Sequence, residues 1–128
     1  MRRRLVYLAC PITAGNRNVN YFQAIEAERE LMFAGFAPQN PAHTMTLPFG
    51  WQPDVPHTLW LDCCFPLVER CDAVLRLPGY SVGADAEVQH AVRHGVPVFY
   101  AVADLAAWRD AEEAAAADAQ EASAWAAT

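Results

Sequence analysis

The chain has 128 residues, of which 54 % are hydrophobic, and its net charge is -6 at pH 7. This length corresponds to one domain, and the apolar fraction is high enough to form a core. The negative charge would repel a polyanion, which excludes a nucleic-acid polymer as the expected partner but leaves room for a single nucleotide at a local site.

The cysteines and the N-terminal segment predict a reduced, cytoplasmic protein without metal or organic cofactor. Cys63 and Cys64 are adjacent, without the spacing of a zinc-binding pair, and no cluster of histidines completes a site. The Arg-rich start is followed by an apolar run that stops at Pro11, too early for a signal peptide. No stretch is long enough to span a membrane, so no membrane contact is expected.

The first third of the chain predicts a strand, a helix and a second strand. The continuously apolar run over residues 5–10 is typical of a buried parallel strand. A polar loop follows, and Asn18 or Asn20 can cap a helix that Gly35 ends. A short strand over residues 36–38 comes next.

Residues 39–57 contain four prolines and therefore predict a long loop rather than a helix or central strand. Loops of this length in a small domain are usually functional. Asn40 and His43 open the loop, and with Trp51 they are candidates for binding a base, because aromatic faces accept any base. It is equally open that Trp51 only holds the loop against the core.

The remaining chain alternates helices and strands. Helices are predicted over residues 58–70 and 83–94, strands over 72–77 and 96–102, and an Ala-rich helix or tail over 104–128. The alternation indicates one α/β domain over residues 1–103, with a parallel sheet of four to five strands covered on both faces. Ligands bind at the carboxyl ends of such strands. This rule selects residues 10–17, which include Cys10, Pro11 and Ile12, the segment 78–87 and, less strongly, the residues after Val102.

Ser81 to Glu87 is the most informative segment, because it connects the end of a strand to the start of a helix. Free N–H groups and the helix dipole attract anions there, so Ser81 and Gly83 suit a phosphate or a sugar hydroxyl. Glu87 borders the apolar stripe of the helix and is a candidate nucleophile, expected to be held ionised by the dipole. The alternative is that Glu87 only supports the helix start.

Three further groups complete the list of candidates. Tyr7, near the end of the first strand, can orient a carboxylate by a hydrogen bond, although a core aromatic is an alternative. Asp62, on the helix over residues 58–70, can face either the cleft or solvent. The remaining histidines, His57, His90 and His94, have no evident partners and are expected at the surface.

The order and spacing of these motifs resemble the nucleoside 2-deoxyribosyltransferase superfamily over roughly residues 4–102. The matching segments are Tyr7-Leu8-Ala9-Cys10-Pro11-Ile12-Thr13, Asn40-Pro41-Ala42, Cys71-Asp72-Ala73-Val74, Ser81-x-Gly83-Ala84-x-x-Glu87 and Ala91-x-x-x-Gly95-x-Pro97-Val98. The chain looks most similar to a small uncharacterised branch that resembles deoxynucleoside 5′-monophosphate N-glycosidases.

The resemblance implies a flavodoxin-like three-layer fold and a homodimer or higher homo-oligomer. It also implies that Glu87 attacks the anomeric carbon, that Tyr7 orients it, and that Ser81 holds the sugar or the 5′-phosphate. Family members that transfer deoxyribose have Asp at the position of Ser81, whereas the nucleotide hydrolases have Ser. The general-acid Asp of the family corresponds to Cys64 here, and Asp62 lies two residues away.

We therefore expect cleavage or transfer at the N-glycosidic bond of a (2′-deoxy)nucleoside or its 5′-monophosphate, through a covalent glycosyl-Glu87 intermediate. One alternative is a nucleotide-binding or sensing protein of the same fold that does not catalyse. A redox role for Cys63 or Cys64 is a weaker alternative, since neither thiol lies at the carboxyl end of a strand.

Overall fold

The computed structural model describes residues 2–45 and 55–127, so Trp51 lies outside the described residues. In the first range, strand β1 (Leu5–Ala9) is followed by helix α1 (Arg17–Phe33), strand β2 (Ala37–Gln39) and the short helix α2 (Ala42–Met45). The second range holds helix α3 (His57–Arg70), strand β3 (Ala73–Arg76), helix α4 (Val82–Arg93), strand β4 (Val98–Phe99) and helix α5 (Val102–Ala127).

The four strands form one parallel sheet in the order β2-β1-β3-β4. With helices on both faces, this is the flavodoxin-like three-layer arrangement that the sequence predicted. The chain leaves β1 in one direction for β2 and returns on the other side for β3. The carboxyl ends of β1 and β3 therefore flank the topological switch point, where ligands bind in folds of this kind.

Alternation along β1 divides the core between the two faces. Val6 and Leu8 pack on the side of α1 and α5, whereas Tyr7 and Ala9 pack on the side of α3 and α4. All four side chains are completely buried, as expected for the central strand of a covered sheet. The period of two along the strand thus directs Tyr7 toward α4, the helix that carries Glu87.

Helix α1 begins earlier than the sequence suggested, so the prediction of a cap at Asn18 or Asn20 was wrong. The cap is Asn16, whose side-chain oxygen accepts hydrogen bonds from the backbone N–H groups of Asn18 and Val19. Asn20 instead donates to the carbonyl oxygens of Ile12 and Ala14 and so holds the loop after β1 against the helix.

Helix α5 packs through its start on the part of the domain that the structure describes. Leu105 is completely buried, and Trp108 packs against Phe99 with ring centroids 5.5 Å apart. From Glu121 to Ala126 the helix is exposed throughout. Within the described ranges, no helix combines the length and the apolar character needed to cross a membrane.

Candidate active site

A cavity of about 230 Å³ opens at the carboxyl ends of β1 and β3, beside the start of α4. This volume is below the range of about 300–1,000 Å³ that is typical of drug-sized ligands, so the cavity suits a sugar or one part of a nucleotide. Its lining residues come from the loop after β1, from α3 and from the start of α4: Cys10, Ile12, Thr13, Ala14, His57, Trp60, Leu61, Tyr80, Ser81, Val82, Gly83, Ala84 and Glu87.

Glu87 lines this cavity although only 5 % of its surface is exposed. The completely buried Tyr7 donates a hydrogen bond from its hydroxyl to Oε2 of Glu87. The two residues are 80 positions apart in sequence, and the fold joins them because β1 directs Tyr7 toward α4. The predicted pair is therefore brought together, and the cavity beside it is not filled by packed apolar side chains.

Burial raises the pKa of Glu87 to about 7, whereas the Tyr7 hydrogen bond and the charge of Arg76 act in the opposite direction. The expectation that the helix dipole alone holds Glu87 ionised was wrong. The acid in the first turn of α4 is Asp85, and Glu87 lies farther along the helix, where desolvation outweighs the dipole. Near neutral pH the protonated and ionised forms of Glu87 therefore coexist.

Tyr7 and Cys64, two buried groups near Glu87, hold their protons at neutral pH. Burial raises the pKa of Tyr7 far above its ordinary value, so the phenol keeps its proton. Burial also raises the pKa of Cys64 to about 11, although the neighbouring Tyr7 hydroxyl acts in the opposite direction. Cys64 thus occupies the inward face of α3 beside the pair, where the resemblance implies an aspartate.

Arg76 is a cation whose charge favours the ionised form of Glu87, and the sequence did not single it out. Arg76 is the last residue of β3. Its guanidinium donates to Oδ1 of Asp85 and to the carbonyl oxygen of Gly79, each at 3.0 Å. It also donates to the carbonyl oxygen of Leu77. Burial raises the pKa of Glu87 and of Cys10, and the charge of Arg76 opposes that rise in both. Its position at the end of a strand was the only signal in the sequence.

Ser81 caps α4 and also lines the cavity. Its Oγ accepts a hydrogen bond of 3.0 Å from the backbone N–H of Ala84, which leaves the hydroxyl proton available to a ligand. Gly83 also lines the cavity, next to the imidazole of His57. A carbon attached at position 83 would lie 3.2 Å from Cε1 of His57, so Gly83 allows this close approach.

His57 therefore lines the cavity, whereas the sequence predicted only that it lies at the surface. It is exposed, is the first residue of α3, and lies against Gly83 at the start of α4. No local motif marks it, because its proximity to Gly83 arises from the packing of α3 on α4.

The remaining predicted residues are distributed around this center. Cys10 and Ile12 line the cavity, whereas Pro11 packs behind it against the turn at Gly79, which has a φ of 112°. Only glycine adopts such a turn without strain, and a side chain there would lie 3.0 Å from Cγ of Pro11.

Asp62, Asn40 and His43 lie elsewhere among the described residues. Asp62 is exposed on α3 and is absent from the set that lines the cavity. Asn40 is buried and caps the start of α2, with its Oδ1 3.0 Å from the backbone nitrogen of Ala42. Both Asn40 and His43 hydrogen-bond to Glu28 of α1, so these two predicted base-binding residues have side-chain partners within the protein.

The parallel sheet, its switch point and the buried acid at that edge define an α/β protein of the flavodoxin-like class. The chain belongs to the family described as Domain of unknown function (DUF4406), whose model matches residues 4–100. The match covers every strand and ends before α5. No curated protein matches the chain.

Proposed function

We propose that this protein cleaves or transfers at the N-glycosidic bond of a 2′-deoxynucleoside or its 5′-monophosphate. The observation that supports the proposal most is the buried Tyr7–Glu87 hydrogen bond beside a cavity at the start of a helix. A carboxylate that is largely removed from water, oriented by a neutral phenol and open to a ligand on one side suits nucleophilic attack. The resemblance to the deoxyribosyltransferase superfamily points to the same chemistry.

In the proposed first step, an oxygen of ionised Glu87 attacks C1′ of the sugar, and the bond from C1′ to the base nitrogen breaks. The base leaves with the bonding electron pair and takes up a proton. Water or a second base then attacks C1′, which breaks the bond to Glu87 and releases its carboxylate, and the proton of the attacking group passes to solvent. A 2′-deoxy sugar is favoured, because a 2′-hydroxyl would withdraw electrons from the developing cation.

We assign the delivery of that proton to His57 rather than to Asp62. The imidazole lines the cavity and lies against Gly83 at the start of α4, whereas the Asp62 side chain lies outside the lining set of described residues. His57 is also exposed, so it can regain a proton from solvent after each turnover. This assignment replaces the general acid that the resemblance implies at the position of Cys64.

The start of α4 is the proposed site for the 5′-phosphate. The hydroxyl of Ser81 and the first backbone N–H groups of the helix can donate to phosphate oxygens, and the helix dipole favours the anion. Arg76 lies beneath the same turn, where Asp85 and the carbonyl oxygens fix its guanidinium. These groups support a nucleoside 5′-monophosphate over a free nucleoside.

A panel of deoxynucleosides and their 5′-monophosphates, assayed by chromatography for released base, tests the proposal. Wild-type protein should release base from at least one member, and Glu87→Gln should lower the rate by more than about 10⁴-fold, as the loss of a nucleophile typically does. Glu112→Gln, which neutralises an exposed acid on α5 away from the cavity, is the matched control for folding and charge. Equal turnover by the Glu87→Gln variant would remove Glu87 from the mechanism.

Leaving-group dependence tests the role of His57. His57→Gln should slow release of a natural base by about 10²–10⁴-fold, the usual contribution of a general acid. With a 2-deoxyriboside whose aryloxide leaving group needs no proton, the same variant should react at nearly the wild-type rate. Equal losses on both substrates would assign His57 to binding rather than to proton transfer.

One observation favours a second candidate, a protein that binds a nucleotide without cleaving it. Cys64 stands where the resemblance implies an aspartic acid, and a thiol with a pKa of about 11 is a much weaker acid. Calorimetry that detects nucleotide binding, combined with no base release from any member of the panel, would select this candidate.

The resemblance further suggests an assembly of at least two copies. The side chains of Val19, Phe22 and Phe33 on α1 are exposed by 62 %, 67 % and 79 %, which supports a contact between copies on this helix. Light scattering of the full chain should give at least twice the monomer mass of 14.1 kDa, and Phe22→Glu should lower it.

A further inference from the structure

A group of three potential metal ligands lies on α3 and α4, at the far end of α4 from the cavity. Glu69 is near the end of α3, and His90 and His94 are near the end of α4. One ligand atom from each residue lies within 4.8 Å of the other two. The two histidines are separated by four residues, which places them on the same face of the helix.

The distances within the group fit a small, tightly coordinated ion. Nε2 of His94 is 3.0 Å from Oε1 of Glu69, and Nε2 of His90 is 3.6 Å from Oε2. Ligands bound tetrahedrally to zinc, at about 2.0–2.2 Å from the metal, lie about 3.4 Å apart. The observed separations lie on either side of this value.

The hydrogen bonds of His94 orient its free lone pair toward Glu69. Nδ1 of His94 is 2.9 Å from the carbonyl oxygen of His90, and a carbonyl only accepts, so Nδ1 carries the hydrogen. In the neutral ring, Nε2 then presents a lone pair to a carboxylate oxygen at 3.0 Å. Two acceptors so close require a proton or a cation between them. A backbone carbonyl bonded to the other ring nitrogen is also the usual support of a metal-binding histidine.

His90 adds an independent observation. Its Nε2 is buried and makes no hydrogen bond among the described residues. The ring is stacked on Phe65 with centroids 4.2 Å apart and an interplanar angle of 6°, which fixes the direction of that nitrogen. A buried polar atom without a partner is costly, and a bound cation would satisfy it.

We propose that Glu69, His90 and His94 form a binding site for a divalent transition-metal ion of the zinc class. Two imidazole nitrogens and one carboxylate oxygen suit Zn²⁺, whereas Mg²⁺ and Ca²⁺ prefer oxygen ligands alone. The ion would link the end of α3 to the end of α4 and thereby stabilise the helix pair whose other end frames the cavity. The site is separate from the proposed catalytic residues, and it does not depend on the proposed function.

Titration of chelator-treated full-length chain with Zn²⁺ tests the site. Calorimetry should show saturable binding of one ion per chain at this site, and thermal unfolding should move to higher temperature with Zn²⁺. His94→Gln should weaken binding by at least the factor of about 10–100 that even the loss of a supporting partner causes. The thermal shift should be lost in the same variant.

Cys63→Ser is the matched control, because it removes an exposed thiol that could itself bind Zn²⁺. It should bind the ion as wild type does. Co²⁺ in place of Zn²⁺ should give visible ligand-field bands without thiolate charge-transfer absorption. If His94→Gln does not fold, Glu69→Gln supplies the same test, because Glu69 is exposed.

Two results would overturn the proposal. In the first, wild type shows no saturable Zn²⁺ binding and no thermal shift, which would mean that a proton alone joins His94 to Glu69. In the second, His94→Gln and Glu69→Gln bind Zn²⁺ as tightly as wild type, which would place the ion elsewhere on the chain.

Discussion

At the scale of single residues, Glu87 and Tyr7 depend on each other because both are buried. Without the phenol, the ionised carboxylate would lose the hydrogen bond that lowers its pKa. Tyr7 itself stays neutral, since burial raises its pKa. In the proposed function, Tyr7 is therefore a positioning residue that makes the ionised form of Glu87 accessible near neutral pH.

Tyr7→Phe tests this role through the pH profile. Because the pKa of Glu87 is about 7, base release by wild type should rise with pH through about 7. In the variant, the rise of the rate with pH should occur at higher pH. At pH 7 the rate should be lower than that of wild type by about 10-fold or more, because a hydrogen bond to a charged group contributes about 1.5–3 kcal/mol. Tyr100→Phe, which alters an exposed tyrosine, should leave the profile unchanged. A rate loss without a pH shift would assign Tyr7 to packing alone.

The sequence identified this pair but not its electrostatics. Periodicity placed Glu87 beside the apolar stripe of its helix, and the position of Tyr7 near the end of a strand suggested the contact. The raised pKa of Glu87 was not predictable, because desolvation depends on how α3, α4 and β1 enclose the carboxylate. His57 was missed for the same reason, because its contact with Gly83 joins segments that are distant in the sequence. The contacts of Arg76 are local, but no motif marked them.

At the scale of elements, the turn between β3 and α4 combines two tasks. Ser81 caps the helix through the N–H of Ala84, and in the proposed function its hydroxyl also binds phosphate. A cap of this kind contributes about 1 kcal/mol to stability. A single substitution to alanine would therefore disturb folding and binding together.

Ser81→Asp separates the two tasks, because aspartate is an equally good cap but repels a phosphate. The free energy of unfolding, measured with urea, should stay within about 0.5 kcal/mol of wild type. Turnover of 5′-monophosphates should fall relative to that of free nucleosides, in keeping with the Asp that the resemblance associates with nucleoside transfer. An unchanged preference would exclude the phosphate site at this turn.

Element positions were predictable where the sequence pattern is local. The strands began and ended close to the predicted positions, except that β4 covers only Val98–Phe99 of the longer run over residues 96–102. That run lacks the continuous pairing of a central strand, because β4 pairs with β3 alone. The strand order and the cluster of Glu69, His90 and His94 followed only from the three-dimensional packing.

At the scale of the whole molecule, burial of Glu87 makes stability depend on pH. The folded pKa of about 7 exceeds the ordinary value of 4.5, so the folded state binds more protons between these two values. The free energy of unfolding should therefore fall as the pH rises from about 4.5 to about 7, by up to about 3 kcal/mol.

Urea denaturation of wild type and Glu87→Gln at pH 5 and pH 8 measures this contribution. The variant has no charge to bury, so it should lose less stability than wild type between the two pH values. It should also be the more stable protein at pH 8, as expected when a functional group is kept at the expense of stability. Parallel losses in both proteins would place the carboxylate in contact with bulk water.

Identification of the residue that bonds to the sugar tests most directly whether Glu87 is the nucleophile. A 2′-fluoro analogue of the substrate slows release of the glycosyl-enzyme, so that the adduct can be located by peptide mass spectrometry after digestion. We expect one sugar, or sugar phosphate, attached at Glu87 in the wild-type peptide and no adduct in the Glu87→Gln variant. If base is released while the sugar is bound to a different residue, or while no adduct forms at any time, Glu87 is not the nucleophile.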